Sequence, residues 1–390
     1  MEFSFNEEET FREEIRQFLR QEITPEVIKE SASGLGHGPH IRSIMRKLGS
    51  KGWLAPAWPE RYGGLGASYM KRFIIMDELF YSMGTIYHGP HMLYGVQVVG
   101  PTLLRYGSED QKEKYVLPLA RGEIDFALGY TEPEAGSDLA SLKMKAVKAE
   151  DGYLMGGQKV FNTGCHYAEY HWVAARTNPD ASKHKGISLF VVDLKSPGIT
   201  VSPIWIMGRG RTNAVFYDDV WVPKENLVGI EDHGWDYIVT ALAFERGVVC
   251  GGARRVFHDL LAHCRSAKYH GRPLSERPLI RHRLSQIAVD LEAAYWLCCK
   301  VAYDMDQGRV PVANAAMTKL MCTELDQRVA QLGMEILGLY GQLQQDSDYV
   351  PLEGFIEASY RDTIRCTIGG GTSEIQRNII ATRGLGLPTA

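Results

Sequence analysis

Residues 152–161 read GYLMGGQKVF, and residues 186–194 read GISLFVVDL. Both stretches place β-branched and aromatic residues between glycine and aspartate turns, a pattern that is typical of strands. Four more runs of the same kind lie nearby: DFALGYTE, SLKMKAVKAE, YHWVAART and NAVFYDDVWV. Their roughly regular spacing predicts a small β-barrel or sandwich within residues 123–228.

Helical periodicity dominates the chain on both sides of this β-rich zone. The helical periods that follow it are long and cover residues 234–266, 279–307, 312–337, 352–366 and 373–383. Segregated helices and strands, rather than βαβ alternation, predict an α+β fold. We divide the chain into an N-terminal helical domain at 1–122, a middle β-domain at 123–228 and a C-terminal helical domain at 229–390.

The composition argues against several classes of protein. The 390 residues carry a net charge of −4, so no basic excess is available for nucleic acid as the main partner. No run approaches the ~18 apolar residues of a membrane helix. The acidic start, MEFSFNEEETFREEIRQFL, has no secretory or transit pattern, so we expect a cytoplasmic protein. The seven cysteines are scattered without a CxxC pair, which indicates reduced core thiols and neither disulfides nor a metal site.

The segment GYTEPEAGSDLAS, residues 129–141, follows an apolar run and is rich in glycine and hydroxyl groups. Thr131, Gly136 and Ser137 could donate hydrogen bonds to a planar heterocycle or a phosphate. The alternative is an acidic turn that uses Ser137 and Asp138 as caps. The residues by themselves leave both interpretations open.

A second candidate segment is GGQKVFNTGCHYAEY, residues 156–170. Its spacing predicts that Phe161 and Thr163 lie on one face of a strand. A ring beside a hydroxyl group could pack on a flat cofactor and hydrogen-bond its edge. An ordinary strand pair is the alternative explanation.

Glu245 is the candidate for acid–base chemistry. On a helix it shares a face with apolar residues three, four and seven positions away: Ile238, Ala241, Leu242, Val248 and Val249. Burial of an unpaired carboxylate is costly and raises its pKa, which suits a general base. The alternative is an ion pair with an arginine from another helix.

The stretch TIGGGTSEIQRNII, residues 367–380, joins three glycines to a helix start. Ser373 and Gln376 have the spacing of a capping box, which would explain the helix start without a ligand. A cap does not require three consecutive glycines. The glycines therefore favour close approach of the backbone to a ligand.

In this order, the segments YTEPEAGSD, GQKVFNTG, PLSERPLIRHRL and GGTSEIQRNIIATRGLGLP resemble the acyl-CoA dehydrogenase family of flavoproteins. The resemblance covers essentially the whole chain. It implies an N-terminal helical domain, a middle β-domain and a C-terminal four-helix domain. It also implies an FAD between the β-domain and the C-terminal helices, completed in part by a neighbouring subunit.

The resemblance assigns roles to individual residues. Thr163 matches the hydroxyl that hydrogen-bonds flavin N5, and Phe161 stands where tryptophan is common. Other positions that match the family's cofactor contacts are Tyr130, Thr131, Gly136, Ser137, Glu335, Gly338, Thr372 and Glu374. Positions that match substrate contacts are Ser137, Arg246 and Gly370.

The reaction implied by the family is α,β-dehydrogenation of an acyl-CoA, with electrons passed to an electron-transferring flavoprotein or a similar acceptor. Many members carry the base where this chain has Gly370. Branches that include isovaleryl and long-chain types place it instead at the position of Glu245. The helical spacing and the family variation therefore point to the same carboxylate. The vacated loop favours a branched, cyclic or steroid-type acyl group.

Two departures from the family pattern bear on the assembly. Ala267 replaces an arginine that reaches the FAD of another subunit, and Glu335 replaces a glutamine of a second motif for that FAD. The sequence is similar to the catalytic chain of a steroid-specific subgroup that pairs two different chains. A homo- or hetero-oligomer, dimer or tetramer, is expected. The alternatives are a non-catalytic subunit that completes a partner's FAD site and a flavin oxidase or monooxygenase on the same scaffold.

Overall fold

The N-terminal part of the chain is helical. The computed structural model describes residues 6–33, 36–83, 93–208, 210–245 and 250–388. The helices of the first part are α1 (Asn6–Glu22), α2 (Pro25–Ala32), α3 (Pro39–Ser50), α4 (Tyr69–Met83), α5 (Gly100–Tyr106), α6 (Glu109–Gln111) and α7 (Leu117–Ala120). Apolar residues recur at helical spacing along α1, where Ile15 and Leu19 are fully buried.

The middle part is a twisted antiparallel and parallel sheet. Its strands are β1 (Phe126–Gly129), β2 (Lys145–Ala149), β3 (Gly152–Lys159), β4 (Tyr170–Arg176), β5 (Ile187–Asp193), β6 (Ile199–Trp205), β7 (Arg211–Pro223) and β8 (Leu227–Val228). The strand order is β6-β7-β3-β2-β4-β5-β8, with β1 parallel to β4. The pairing of β3 with β7 shifts register between Met155 and Gly157, so the end of β3 bends at a bulge.

Helices return after the sheet. They are α8 (Gly234–Glu245), α9 (Gly251–Ser266), α10 (Pro278–Asp306), α11 (Val312–Leu337), α12 (Phe355–Asp362) and α13 (Ser373–Ile379). A short hairpin of β9 (Lys268–Tyr269) and β10 (Arg272–Pro273) separates α9 from α10. The order of helical, β and helical parts confirms the α+β fold class. No helix among the described residues is long and apolar enough to cross a membrane.

Helix α4 connects the two helical parts. Its Phe73 and Ile74 belong to the core that α9, α10 and α11 share, whereas Ile75 and Met76 belong to the core shared with α1, α3 and the sheet. A third core fills the β-domain itself. The sheet is therefore packed against helices from both ends of the chain.

The ends of some helices differ from the ranges that the helical periodicity of the sequence predicted. The predicted helix at 234–266 corresponds to α8 and α9, and residues 246–249 between them lie outside the described part. The predicted helix at 352–366 starts only at Phe355, because Leu352 and Glu353 have φ values of 51° and 52° and cannot be helical. All seven cysteines lie in the described residues, where they are buried and form no disulfide.

Candidate active site

Two loops of the β-domain lie side by side. The first follows β1 and begins at Tyr130; the second follows β3 and begins at Val160. The Val160 N–H donates to Thr131 O at 2.9 Å, and Asn162 Nδ2 donates to Leu128 O at 2.9 Å. These bonds bring together the two segments that the sequence singled out separately.

Phe161 is not on a strand, contrary to the sequence prediction. Strand β3 ends at Lys159, and Phe161 has a φ of 59°, in the left-handed region that a bulky residue rarely adopts. Its ring is 64% exposed. Backbone strain of this kind typically costs ~1–3 kcal/mol and clusters at functional sites. A strained loop that holds an aromatic ring outside the core is suited to packing against a flat ligand.

Thr163 follows this ring on the same loop and is half-buried. Its Oγ1 lies 3.2 Å from Thr212 Oγ1 of β7. Asn213, next along β7, braces the loop, because its Nδ2 donates to Asn162 O at 2.8 Å and its carbonyl accepts from the Asn162 N–H at 2.9 Å. The loop is therefore fixed on both sides, and the hydroxyl of Thr163 is held beside the exposed ring.

The loop after β1 contains residues with different surroundings. Tyr130 is buried, and its OH accepts a bond from Trp172 Nε1 at 2.8 Å, so any contact with a ligand would have to come from its backbone. Thr131 is half-buried, whereas Gly136 and Ser137 are exposed. A Cβ built on Gly136 would meet no atom within 4 Å, so the described residues leave open space there.

The glycine-rich stretch forms a tight turn before α13. Gly370 and Gly371 have φ values of 66° and 97°, which explains two of the three glycines on conformational grounds. Lys319 Nζ donates a hydrogen bond to Gly371 O at 2.8 Å, and Gln376 Nε2 donates one to Gly370 O at 3.1 Å. The carbonyl groups of this turn are thus tied to the protein.

The helix cap at this turn differs from the capping box expected from sequence. The N-cap residue is Thr372, whose Oγ1 accepts the Ile375 N–H at 3.2 Å. Ser373 is the first helical residue, and Gln376 binds the glycine carbonyls instead of completing a box with it. Glu374 is exposed in the first turn of α13.

The motif expected to serve a neighbouring subunit lies at the end of α11. Glu335 is exposed and forms an ion pair with Arg283 of α10. Gly338 ends the helix with a φ of 57° and is exposed. Both residues stay predicted cofactor contacts, and in this chain Glu335 already has a partner.

The candidate base lies on α8. The backbone of α8 is described as far as Glu245, and Ile238 and Ala241 on the preceding turns are fully buried. The side chain of Glu245 and the whole of Arg246, Val248 and Val249 lie outside the described part of the chain.

Sequence reasoning missed the polar residues that hold these loops. Lys159 and Glu132 form a buried ion pair under them, with 2.8 Å between Nζ and Oε1. Lys159 lies in the run GGQKVF. A lysine among strand residues was a signal in the sequence that could have indicated a buried cation. No local sequence pattern indicates that Asn213 and Lys319 hydrogen-bond these loops, because both residues are distant in sequence from the loops that they bind.

The residues present fit FAD. The exposed ring of Phe161 and the adjacent hydroxyl of Thr163 provide a stacking surface and a hydrogen-bonding group for a flavin. The open space at Gly136 leaves room for the backbone to approach a ligand. Near the glycine turn, the buried Ser373 Oγ has no hydrogen-bond partner among the described residues.

Family models cover nearly all of the chain. The acyl-CoA dehydrogenase N-terminal domain matches residues 6–123, the middle domain 127–220 and the C-terminal domain 232–385. Among curated proteins, acyl-CoA dehydrogenase FadE29 of Mycobacterium tuberculosis is 38% identical over 98% of this chain and 97% of its own length. Acyl-CoA dehydrogenase FadE26 of the same organism is 34% identical over 98% of each chain.

Solved structures agree with this relationship. The Tcur3481-Tcur3483 steroid ACAD superposes with a TM-score of 0.90, 36% identity and 98% coverage of both chains. The ChsE4-ChsE5 complex from Mycobacterium tuberculosis has a TM-score of 0.90, 33% identity and full coverage of both chains. The matched proteins are flavoprotein oxidoreductases that act on CH–CH bonds and bind FAD. This chain is a member of the acyl-CoA dehydrogenase family.

Proposed function

We propose that this chain catalyses the FAD-dependent α,β-dehydrogenation of an acyl-CoA thioester to the 2-enoyl-CoA, with Glu245 as the base. The observation that carries the proposal is the place of Glu245 on α8, four and seven residues after the fully buried positions Ala241 and Ile238. The competing position, Gly370, has no side chain. The helical spacing and the position of the base in other branches of the family therefore both favour Glu245 as the base.

Each residue of the site has a chemical task in this proposal. Bound FAD supplies the hydride acceptor. The Thr163 hydroxyl, held beside Thr212, donates to the flavin edge, and the Phe161 ring packs on its face. Glu245 removes the α-proton of the acyl group, and the Gly370 N–H polarises the thioester carbonyl so that this proton becomes acidic. Ser137 and Arg246 bind the substrate.

A branched, cyclic or steroid-type acyl group is the favoured substrate. A glycine in place of the usual glutamate leaves more room in the pocket. The structural relative that is named a steroid ACAD supports the same class. The electron acceptor proposed is an electron-transferring flavoprotein or a similar protein.

Assembly with a second chain, identical or different, is part of the proposal. Tyr360, Ile364 and Ile368 follow each other at intervals of four residues before the glycine turn and are 44%, 43% and 60% exposed. Exposed apolar side chains close together in the chain and next to a site are typical of a surface that another chain covers. The heteromeric ChsE4-ChsE5 relative and Ala267 in place of the cross-subunit arginine favour a heteromer.

The substitution Glu245→Gln tests the proposal. Removal of a general base is expected to lower the rate of flavin bleaching by an acyl-CoA under anaerobic conditions by about 10²–10⁴-fold. FAD content is expected to stay unchanged, because the base does not hold the cofactor. Asp236→Asn, on the exposed first turn of α8, is the matched control and should react like the wild type. Wild-type bleaching by the Glu245→Gln protein would refute the assignment.

A further inference from the structure

A buried ion pair lies directly beneath the two loops of the candidate site. Lys159, the last residue of β3, is fully buried, and its Nζ donates to Glu132 Oε1 at 2.8 Å. The same Oε1 accepts the Met144 N–H at 2.9 Å, and Oε2 accepts the Lys143 N–H at 2.6 Å. Both carboxylate oxygens therefore have donors, which is the condition under which a buried ion pair is tolerated.

Lys159 also fixes a backbone carbonyl in the loop after β1. Its Nζ donates to Tyr130 O at 3.0 Å. The described chain has no cis peptide bonds, and in a trans peptide the C=O and the following N–H point in opposite directions. Because the Tyr130 carbonyl points to the buried ammonium group, the Thr131 N–H points away from it.

The next peptide plane is fixed as well. Thr131 O accepts the Val160 N–H at 2.9 Å, and the Glu132 N–H donates to Ala135 O at 3.2 Å. Both planes that flank Thr131 are therefore held in place. The described residues offer no hydrogen-bond acceptor to the Thr131 N–H itself. It is a pre-oriented donor, immediately beside the loop that carries Phe161 and Thr163.

We propose that Lys159 and Glu132 are positioning residues for the cofactor, which fix the Tyr130–Thr131 peptide so that the Thr131 N–H donates to the polar edge of the flavin. Neither side chain touches the cofactor, and their effect passes through the backbone. The inference rests on the flavin position of the proposed function. It does not depend on which residue is the base.

The charge state of the pair supports this role. Burial lowers the pKa of Lys159 to about 8, against the opposing effect of the Glu132 charge and hydrogen bond. The ammonium form therefore still predominates at neutral pH. An ammonium donor forms stronger hydrogen bonds than a neutral one, so it holds the Tyr130 carbonyl firmly.

The substitution Lys159→Met tests the inference by direct FAD binding. The FAD-free protein is titrated with FAD, and binding is followed by flavin fluorescence and by the visible absorption spectrum of the bound flavin. We expect the dissociation constant for FAD to rise by about tenfold or more, because one oriented hydrogen-bond donor to the flavin is lost. A tenfold rise corresponds to about 1.4 kcal/mol of binding free energy. The absorption band should also shift, because the hydrogen bond at the flavin edge is weakened.

Lys224→Met is the matched control. Lys224 pairs with Asp151 in the same domain, with 2.9 Å between Nζ and Oδ1, but both side chains are exposed. This variant removes the same charge and the same type of ion pair from the β-domain surface. It should bind FAD with wild-type affinity and an unchanged spectrum.

Glu132→Gln provides a second test in case Lys159→Met does not fold. Glutamine keeps one oxygen as the acceptor for Lys159 but loses the acceptor of the Lys143 N–H, and it leaves the bond from Lys159 to Tyr130 O in place. We therefore expect a smaller loss of FAD affinity, about threefold, because the ion pair is replaced by a bond from the ammonium group to a neutral amide oxygen.

A purely structural role gives a different result. It would lower the thermal midpoint of the FAD-free protein but leave the FAD affinity and the flavin spectrum of the folded protein unchanged. That outcome in Lys159→Met, or in Glu132→Gln if only that variant folds, would overturn the inference. Glu245→Gln should bind FAD normally, so failure of the proposed base and failure of this inference are distinguishable.

Discussion

Two buried ion clusters occupy the β-domain and the helical part, and they differ in what they connect. The β-domain pair, Lys159 and Glu132, joins the end of β3 to one neighbouring loop and to the two residues just before β2. The helical cluster surrounds the adjacent acids Asp77 and Glu78 of α4 with arginines from α1 and α9. The first holds a local loop at the site, whereas the second holds whole helices together.

The helical cluster is the larger of the two. Arg12 Nη1 lies 2.5 Å from Glu78 Oε1, Arg16 Nε lies 3.0 Å from Glu78 Oε2, and Arg254 Nη2 lies 3.0 Å from Asp77 Oδ2. Burial raises the pKa of Asp77 despite its arginine neighbours. Burial also acts to raise the pKa of Glu78, but hydrogen bonds from Arg16 and Arg12 outweigh it, so this pKa is lowered. Glu78 is therefore the stabilised anion of the cluster.

The largest expected effect comes from breaking the helical cluster. Glu78→Gln removes the anion that Arg12, Arg16 and Arg254 hydrogen-bond. Asp77 then remains as the one acid of the pair beside these buried positive charges. We expect a loss of about 3–5 kcal/mol in the free energy of unfolding. The measurement is urea denaturation of the FAD-free protein, with Asp151→Asn at an exposed ion pair as the control, which should lose less than about 1 kcal/mol.

The same variant tests the contrast between the two clusters. Folded Glu78→Gln should bind FAD with wild-type affinity, because the helical cluster does not contact either loop of the β-domain site. A weakened FAD affinity as large as that expected for Lys159→Met would show that the two clusters are not functionally separate.

The second largest expected effect is a loss of folding stability at low pH. His171 of β4 is fully buried beside Lys159, and its Nδ1 lies 2.7 Å from the Tyr217 hydroxyl. Burial, with the Lys159 charge as a smaller cause, lowers the pKa of His171 to about 3. Because the unfolded state binds a proton near pH 6.5 and the folded state does not, stability is complete above that pH and falls as the pH drops toward 3.

The variant His171→Gln should remove this dependence. Between pH 6 and pH 4 the free energy of unfolding of the wild type should fall relative to the variant by about 1.4 kcal/mol per pH unit. Urea denaturation at a series of pH values measures the difference, which cancels contributions from other groups such as His166. Parallel curves for the two proteins would contradict the neutral buried histidine.

The smallest expected change in stability comes from Phe161, at the candidate site itself. Phe161→Gly removes the strain of a φ of 59° and takes away a ring that is 64% exposed. We expect the FAD-free protein to keep its stability or gain up to about 1 kcal/mol. FAD affinity should fall at the same time, because the stacking surface is lost. Phe161→Ala, which keeps the strained backbone, is the control and should not gain stability.

Much of the architecture could be predicted because it follows local patterns. The alternation in GYLMGGQKVF and GISLFVVDL predicted strands, and β3 and β5 lie there. The helical periods after residue 231 predicted α10 and α11 closely. These elements bury one face each, and the period of the apolar residues determines which face that is.

The candidate site could be predicted only in part. The expectation that Phe161 lies on a strand face was wrong, because β3 bends at the bulge near Gly157 and ends at Lys159. The cap of α13 was assigned to Ser373 instead of Thr372, because the helix starts one residue earlier than the box spacing suggested. Lys159 was overlooked because lysine is normally a surface residue.

By itself, the sequence determined the three-part fold and the two motif loops, because the burial of apolar faces and the turn preferences of glycine act over a few residues. Only the tertiary structure decided that the loops lie side by side, that the ring of Phe161 is held outside the core and that a buried lysine orients the Tyr130 carbonyl. The physical reason is that hydrogen bonds such as Asn213 to Asn162 and Lys159 to Tyr130 join residues that are 51 and 29 positions apart. Such bonds depend on how the strands are paired, and local residue patterns do not encode that pairing.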